Sequence, residues 1–248
     1  MNQSFFIGAV SAHQQLRHLN VQGNNIANVN TYGFKAERGH FAALMYEDIK
    51  AIGDRQPPSG AGGALWTTTT NFNSGAVMDT GRAQDYAIQG DGFFATVDLN
   101  TNEITLTRCG AFSVAELQRP TEETDEYGQP IMERVMYLSD GQGRFVLSET
   151  GGMIEVTDSS AAQPVGVFDY INYNGMEHVD GTRFLPVAKN GGIQLAEGKA
   201  MNRMLEMSNV DLADEMTKVI ESQRAYTMAL KMVQASDEIE TTINNLRG

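Results

Sequence analysis

Few residues of this 248-residue chain are spaced for chemistry. Asp79-Thr80-Gly81 offers one carboxylate of the pair an acid protease needs. That reaction requires two carboxylates sharing a proton. No second Asp-Thr-Gly or Asp-Ser-Gly occurs, and Arg82-Ala83-Gln84-Asp85 replaces the expected apolar continuation, so a turn entering a β region accounts for Asp79 and Gly81. Gly90-Asp91-Gly92 is followed by neither a helix start nor Gly-Lys-Ser/Thr, which predicts a tight turn between strands rather than a phosphate cradle. Met201, Met204 and Met207 carry thioethers that suit copper, but no His or Cys accompanies them and adaptable packing is expected. His13, His18, His40 and His178 lack metal-ligand spacing, and Gly-x-Ser-x-Gly does not occur. The expectation is a chain that is not an enzyme, with no catalytic residue, cofactor or metal.

Composition narrows the partners. Acidic residues number 31 against 18 Lys plus Arg, a formal charge of −13. Nucleic acid is bound by neutralising phosphates with Lys and Arg, so no nucleic-acid partner is expected. A single cysteine, Cys109, excludes an internal disulfide framework. The longest mostly apolar run, Phe5 to Ala12, is too short to cross a membrane, so no membrane insertion is expected. The N-terminus lacks a positive segment ahead of that run, and Gln14 and Gln15 continue a helical pattern. A mature helix is expected there, not a cleaved signal peptide.

The two ends share a pattern that the middle lacks. Phe5, Ala9, Ala12, Leu16, Leu19, Gly23 and Ile26 alternate at steps of four and three, a heptad seam on a helix. Leu212, Met216, Val219, Gln223, Tyr226, Leu230 and Val233 repeat it near the other end, and Ile239, Ile243 and Leu246 resume it after a skip that shifts the face without ending the helix. Ser208-Asn209-Val210-Asp211 has the form of a capping box, and Asp211, Asp214 and Glu215 put negative charge where the helix dipole favours it. Asn24, Asn25, Asn28, Thr31, Gly33 and Phe34 mark the exit of the first helix; so many polar caps exceed what a helix end needs and suit a subunit register as well. Gln223 and Arg224 are a polar seam residue and a flanking cation of the kind that sets register between helices.

Between the ends the pattern is β. Tyr86–Gln89, Phe93–Val97 and Ile104–Arg108 read as strands. Tyr137–Ser139 and Arg144–Leu147 flank a turn, and Met153–Val156 and Val165–Tyr173 add two more strands. Pro120 to Pro130 is acidic and reads as a surface excursion, and Leu65 to Met78 as extended chain. The expected fold is α+β: long N- and C-terminal helices pairing as a coiled-coil core domain, with a central, mostly antiparallel β domain. Its expected parts are the N-terminal core segment 1–46, an extended connector 47–83, the β domain 84–200 and the C-terminal core segment 201–248.

A lone amphipathic helix is marginal in water and gains stability by packing its stripe. Each Leu-sized side chain removed from water contributes roughly 1.5–3 kcal/mol. The N-terminal stripe is expected to pair with the C-terminal one. Alanines, Gly23 and Gln223 interrupt the seams, so apolar surface is left over for neighbouring subunits. The candidate assembly residues are therefore Phe5, Ala9, Ala12, Leu16, Leu19 and Ile26; Asn24, Asn25, Asn28, Thr31, Gly33 and Phe34; Ser208, Asn209 and Val210; and Leu212, Met216, Val219, Gln223, Arg224, Tyr226, Leu230 and Val233.

Three motifs give these features a family. Asn24-Asn25-Ile26-Ala27-Asn28-Val29-Asn30-Thr31-Tyr32-Gly33-Phe34-Lys35 resembles the N-terminal signature of bacterial flagellar rod and hook proteins. Ser208-Asn209-Val210-Asp211-Leu212-Ala213-Asp214-Glu215-Met216, with Gln223-Arg224-Ala225-Tyr226 beyond it, resembles the C-terminal one. Ala87-Ile88-Gln89-Gly90-Asp91-Gly92-Phe93-Phe94 is similar to the family's strand-turn-strand. The three occur in order from end to end. The resemblance implies a basal-body rod subunit, distal-rod-like or proximal-rod-like, with a hook-type axial protein as the alternative. It also implies export through the flagellar type III apparatus without a cleaved signal, and a helical homopolymer whose inner tube is built from the terminal helices, with the β domain outward. Location in the basal body, spanning the periplasm and cell wall, is implied too, with other rod and hook proteins and ring or bushing proteins as partners. A lesser alternative is an adhesin-like surface β domain carried by the helical ends.

Overall fold

The computed structural model describes residues 3–43, 47–48, 58–59, 63–124 and 130–247. Helix α1 spans Gln3–Ala27 and α2 spans Leu212–Arg247. Between them, among the described residues, run β1 (Glu37–Ala43), β2 (Glu47–Asp48), β3 (Pro58–Ser59), β4 (Gly63–Thr70), β5 (Val77–Asp79), β6 (Tyr86–Gln89), β7 (Phe93–Val97), β8 (Ile104–Thr107), β9 (Ser113–Thr124), β10 (Pro130–Ser139), β11 (Phe145–Val146), β12 (Val167–Asp169), β13 (Glu177–Asp180), β14 (Arg183–Leu185), β15 (Gln194–Leu195), β16 (Lys199–Asn202) and β17 (Met204–Glu206). The architecture is α+β, and every strand pairing is antiparallel. Among the described residues no helix is long and apolar enough to cross a membrane. The chain divides into two compact units: residues 1–29, 36–71 and 210–248 form one, and 30–35 with 72–209 form the other.

The second unit has a core of its own. Its main sheet runs β13-β14-β8-β7-β11-β10-β9, with β12 also on β7 and β15 on β12. Successive side chains of a strand face opposite ways. In β7 this sends Phe93 into one cluster, with Leu106, Phe168 and Phe184, and Phe94 into another, with Phe112, Leu138 and Val146. Both faces of β7 are therefore covered, which is why its sequence is a continuous apolar run and not an alternation.

Several sequence expectations change here. Tyr86–Gln89 and Phe93–Val97 do not pair with each other across Gly90-Asp91-Gly92: β6 pairs with β16, and β7 with β8. Gly90 and Gly92 do hold positive φ (101° and 119°), so the turn is real while the hairpin is not. Met153 and Glu155 make only isolated bridges, and Val165–Tyr173 contracts to β12. The segment after Pro120 continues β9 to Thr124 and returns at Pro130 in β10, with 125–129 outside the described residues. Much of the expected connector before Gly63 also lies outside them.

In the first unit α1 and α2 lie antiparallel, and the two-stranded ribbon β1–β4 accompanies them. α2 continues unbroken through the heptad skip, as expected. Its cap is Asp211, not Ser208: the Asp211 carboxylate accepts from the N–H groups of Ala213 and Asp214 at 2.9 and 3.3 Å. At the end of α1, Asn28 donates from its side chain to Asn24 O and Asn24 Oδ1 at 2.9 and 3.0 Å, so the asparagine run bonds a backbone carbonyl of the last turn and a side chain. The sequence segment 1–46 thus holds β1 beside its helix, and 201–248 begins with strand residues before α2.

Candidate assembly interface

The seam between α1 and α2 is rotated by one residue from the apolar seam read in the sequence. Ser4 Oγ meets Ser236 Oγ at 2.9 Å, His18 Nδ1 meets Ser222 Oγ at 3.0 Å, Gln22 Nε2 donates to Ser222 Oγ at 3.1 Å, and Asn25 Nδ2 donates to Glu215 Oε2 at 3.2 Å. A Cβ on Gly8 would stand 2.9 Å from Val233 Cγ2 and 3.2 Å from Ala229 O. Small and hydrogen-bonded residues let the backbones approach closely; Gly8, Ala12, Gln22 and Asn25 are buried, as are Glu215, Ser222 and Ser236. Of the apolar seam residues, Ala12 is buried, and Leu19, Ile26, Val219, Tyr226 and Val233 are half-buried. Phe5, Ala9, Leu16, Leu212, Met216 and Leu230 are exposed, with Gln223 and Arg224. The helices have paired through their small and polar face and left their largest apolar residues outside.

Asn25 is the most tightly held of these residues. Its side chain donates to Glu37 O at 2.8 Å and accepts from Glu37 N at 2.9 Å, so it completes the backbone pairing of β1 while reaching Glu215 on α2. Beside it, His18, Gln22, Glu215, Lys218 and Glu37 border a cavity of about 230 Å³. Burial holds the His18 imidazole below its ordinary value, with Glu215 opposing and Lys218 reinforcing the shift. Lys218 bridges Asp214 and Glu215 at 2.7 and 2.8 Å.

The second unit gathers the other motif residues around a carboxylate. Glu206 receives Lys35 Nζ at 2.6 Å, Arg108 at 3.1 Å and the Gly75 N–H at 2.7 Å, and all three charged side chains are almost fully buried. Lys35 also donates to Asn73 O, and Asn209 donates from its side chain to the same oxygen, both at 2.8 Å. Burial pulls the Lys35 ammonium down and Glu206 holds it up. Gly33 takes φ 70° against the Cys109 backbone, where a Cβ would come within 2.3 Å, and its N–H donates to Glu206 O at 2.8 Å. Phe34 beside it is buried, with Asn209 N–H on its carbonyl at 3.4 Å. Thr31 and Ser208 are half-buried, as is Val210 in the first unit. The Lys35–Glu206–Arg108 group was missed by sequence reasoning; the only signal was a lysine ending an otherwise uncharged motif.

The chemical decoys resolve as structure. Asp79 accepts from Gly81 N–H at 3.0 Å in a turn at the end of β5. Met201 and Met204 lie in β16 and β17, and Met207 follows β17. Burial pushes the Cys109 thiol up, which keeps it protonated and unreactive at neutral pH.

The terminal helices leave large apolar residues exposed. Known proteins with similar sequence are flagellar rod proteins. Residues 9–35 match the family described as flagella basal body rod protein, and 201–246 match the C-terminal family of flagellar basal body rod FlgEFG proteins. Over the full length of both chains, this one is 28% identical to the flagellar basal-body rod protein FlgG of Bacillus subtilis. It is 28% identical to FlgG of Borreliella burgdorferi, covering 100% of this chain and 99% of that one, and 29% identical to FlgF of Caulobacter vibrioides, covering 96% and 95%. These matches over the two terminal segments, and the similarity to FlgG and FlgF along the whole chain, support a flagellar basal-body rod protein family and a structural rod subunit.

Proposed function

We propose that this chain polymerises through its terminal helices into the helical rod of the basal body and carries torque along it. The observation that carries the reading is the row of exposed large apolar residues on two helices already paired through their other face. Burying such a row between copies gives roughly 1.5–3 kcal/mol for each Leu-sized side chain. A head-to-tail contact repeated by a rotation that does not close makes a filament. In this reading segments 1–46 and 201–248 build a coiled-coil core, 47–83 connects, and 84–200 is the β domain. Asn24, Asn28, Gln223 and Arg224, on the exposed or half-exposed helix surface, set register between copies. Other rod and hook proteins cap the ends of the polymer, ring proteins surround it, and export uses the flagellar type III apparatus. The test is deletion of 1–30 or 209–248 in cells. Loss of rods in isolated basal bodies and of motility is expected from either deletion; assembly that survives one of them refutes the reading.

A further inference from the structure

We propose that Trp66 is a docking anchor that seats on helix α2 of a second copy of this chain; the inference rests on the rod reading above. Trp66 is the chain's sole tryptophan and is 77% exposed. It stands where the β1–β4 pairing slips: His40 pairs with Thr67 and Phe41 with Leu65, leaving Trp66 without a partner. A bulge of this kind re-aims a side chain out of the regular alternation. Leu65, its neighbour, turns inward, and a Cβ on Gly39 would meet Leu65 Cδ1 at 2.8 Å. The rest of β4 is Gly-Ala-Leu-Trp-Thr-Thr-Thr-Thr, with no charge, and among the described residues it pairs with β1 alone. Edge strands that must stay single carry Lys, Glu or Pro; this one carries an outward tryptophan instead.

The occupant follows from symmetry and from the same unit. Two β4 strands meeting each other would form an isologous pair, which closes at two copies and cannot propagate. In a growing rod Trp66 must therefore meet a different surface of the next copy. The helices of its own unit supply one: Leu212, Met216 and Ile220 stand exposed about one turn apart on α2, with Met228 and Met232 exposed beyond them. Methionine side chains adapt to an aromatic ring and make favourable sulfur–aromatic contacts. Tryptophan is among the residues that dominate interface energies when seated in such a pocket.

The experiment uses the full chain. Trp66 is replaced by the photo-crosslinker p-benzoylphenylalanine, and isotopically heavy and light chains are mixed before polymerisation. Expected is a heavy–light adduct, formed only in polymer, joining position 66 to a peptide within 212–232. In the unmodified chain the tryptophan emission shifts to the blue on polymerisation. Trp66→Ala raises the critical concentration about 30-fold, the effect of losing one interface hot spot, and Trp66→Phe restores part of it. Far-ultraviolet circular dichroism of the monomer checks that the variants fold, and the crosslink decides should Trp66→Ala not fold. Polymer in which Trp66 keeps its solvent-exposed emission, or whose adducts map outside α2, overturns the anchor and leaves the rod reading standing. A chain that never polymerises overturns both.

Discussion

The β unit and the helical unit solve the same problem in opposite ways. The β unit has a core of large side chains: Phe93, Phe94, Phe112, Leu138 and Phe184 are all buried, and the Lys35–Arg108–Glu206 group is buried with its charges paired, while Ile171 and Leu195 stay exposed. In the helical unit the inside is small and polar, Ser4, Gly8, Gln22 and Asn25 against Ser236, Ser222 and Glu215. Its large side chains are outside, up to Leu246 at 83% exposed. One unit has a buried aromatic and aliphatic core, whereas the other leaves apolar rows exposed. An internal seam of hydrogen-bonded and small residues fixes which face of each helix is turned inward, and so which face the proposed rod would offer to other copies.

That contrast can be tested by attacking each unit at its own kind of contact. The largest effect is expected in the β unit. Glu206→Ala leaves Lys35 and Arg108 buried without their carboxylate, and removing one partner of a buried ion pair costs about 3–5 kcal/mol. Chemical denaturation followed by near-ultraviolet circular dichroism should show the loss. A change below about 1 kcal/mol would mean the group is not structurally required.

A smaller effect is expected at the helix seam. Gly8→Val drives side-chain atoms into Val233 and the Ala229 carbonyl, and overpacking of this kind costs about 1–3 kcal/mol. Amide exchange along α1 and α2 should speed up while that of β7 and β8 stays unchanged. Adding Val233→Ala should recover part of the loss; no recovery would show that the two residues do not meet.

The smallest effect is on acidification. His18 titrates below its ordinary 6.5 in the folded chain because burial disfavours the charged ring. The unfolded chain therefore binds the proton first. The stabilising contribution is fully present above pH 6.5 and declines as pH falls through the lowered folded value. Glu215 and Lys218 on α2, and Glu37, Arg38 and His40 on β1, surround the same cavity and set the remaining field. An NMR titration of the His18 ring should give a value below 6.5, and His18→Gln should flatten the loss of helix-pair stability between pH 7 and pH 5. A value above 6.5 would show that Glu215 outweighs burial.

The sequence made some of this legible and hid the rest for physical reasons. Helix ends were readable because Asn24, Asn28 and Asp211 act on backbone groups within a turn of themselves. The strands Tyr86–Gln89 and Phe93–Val97 were readable from composition, but their partners were not, since a turn between two strands does not compel them to pair. The α1–α2 seam lies one residue away from the apolar heptad because hydrophobicity alone does not decide which helix face packs. Ser4, Gly8, Gln22 and Asn25 keep a helical period too, and close approach with hydrogen bonds selected that face. Glu206 was invisible because its three partners, Lys35, Gly75 and Arg108, are far apart in sequence and meet only in the fold.

Hydrogen exchange measured on the dilute chain and again on the polymer goes most directly to the difference between the two units. Amides of α1 and α2 are expected to exchange far faster than those of β7 and β8 in the dilute chain, and to become protected on polymerisation while the β amides change little. Terminal helices as protected as the β core in a dilute monomer, and unchanged when copies are brought together, would show that the helical ends need no neighbour.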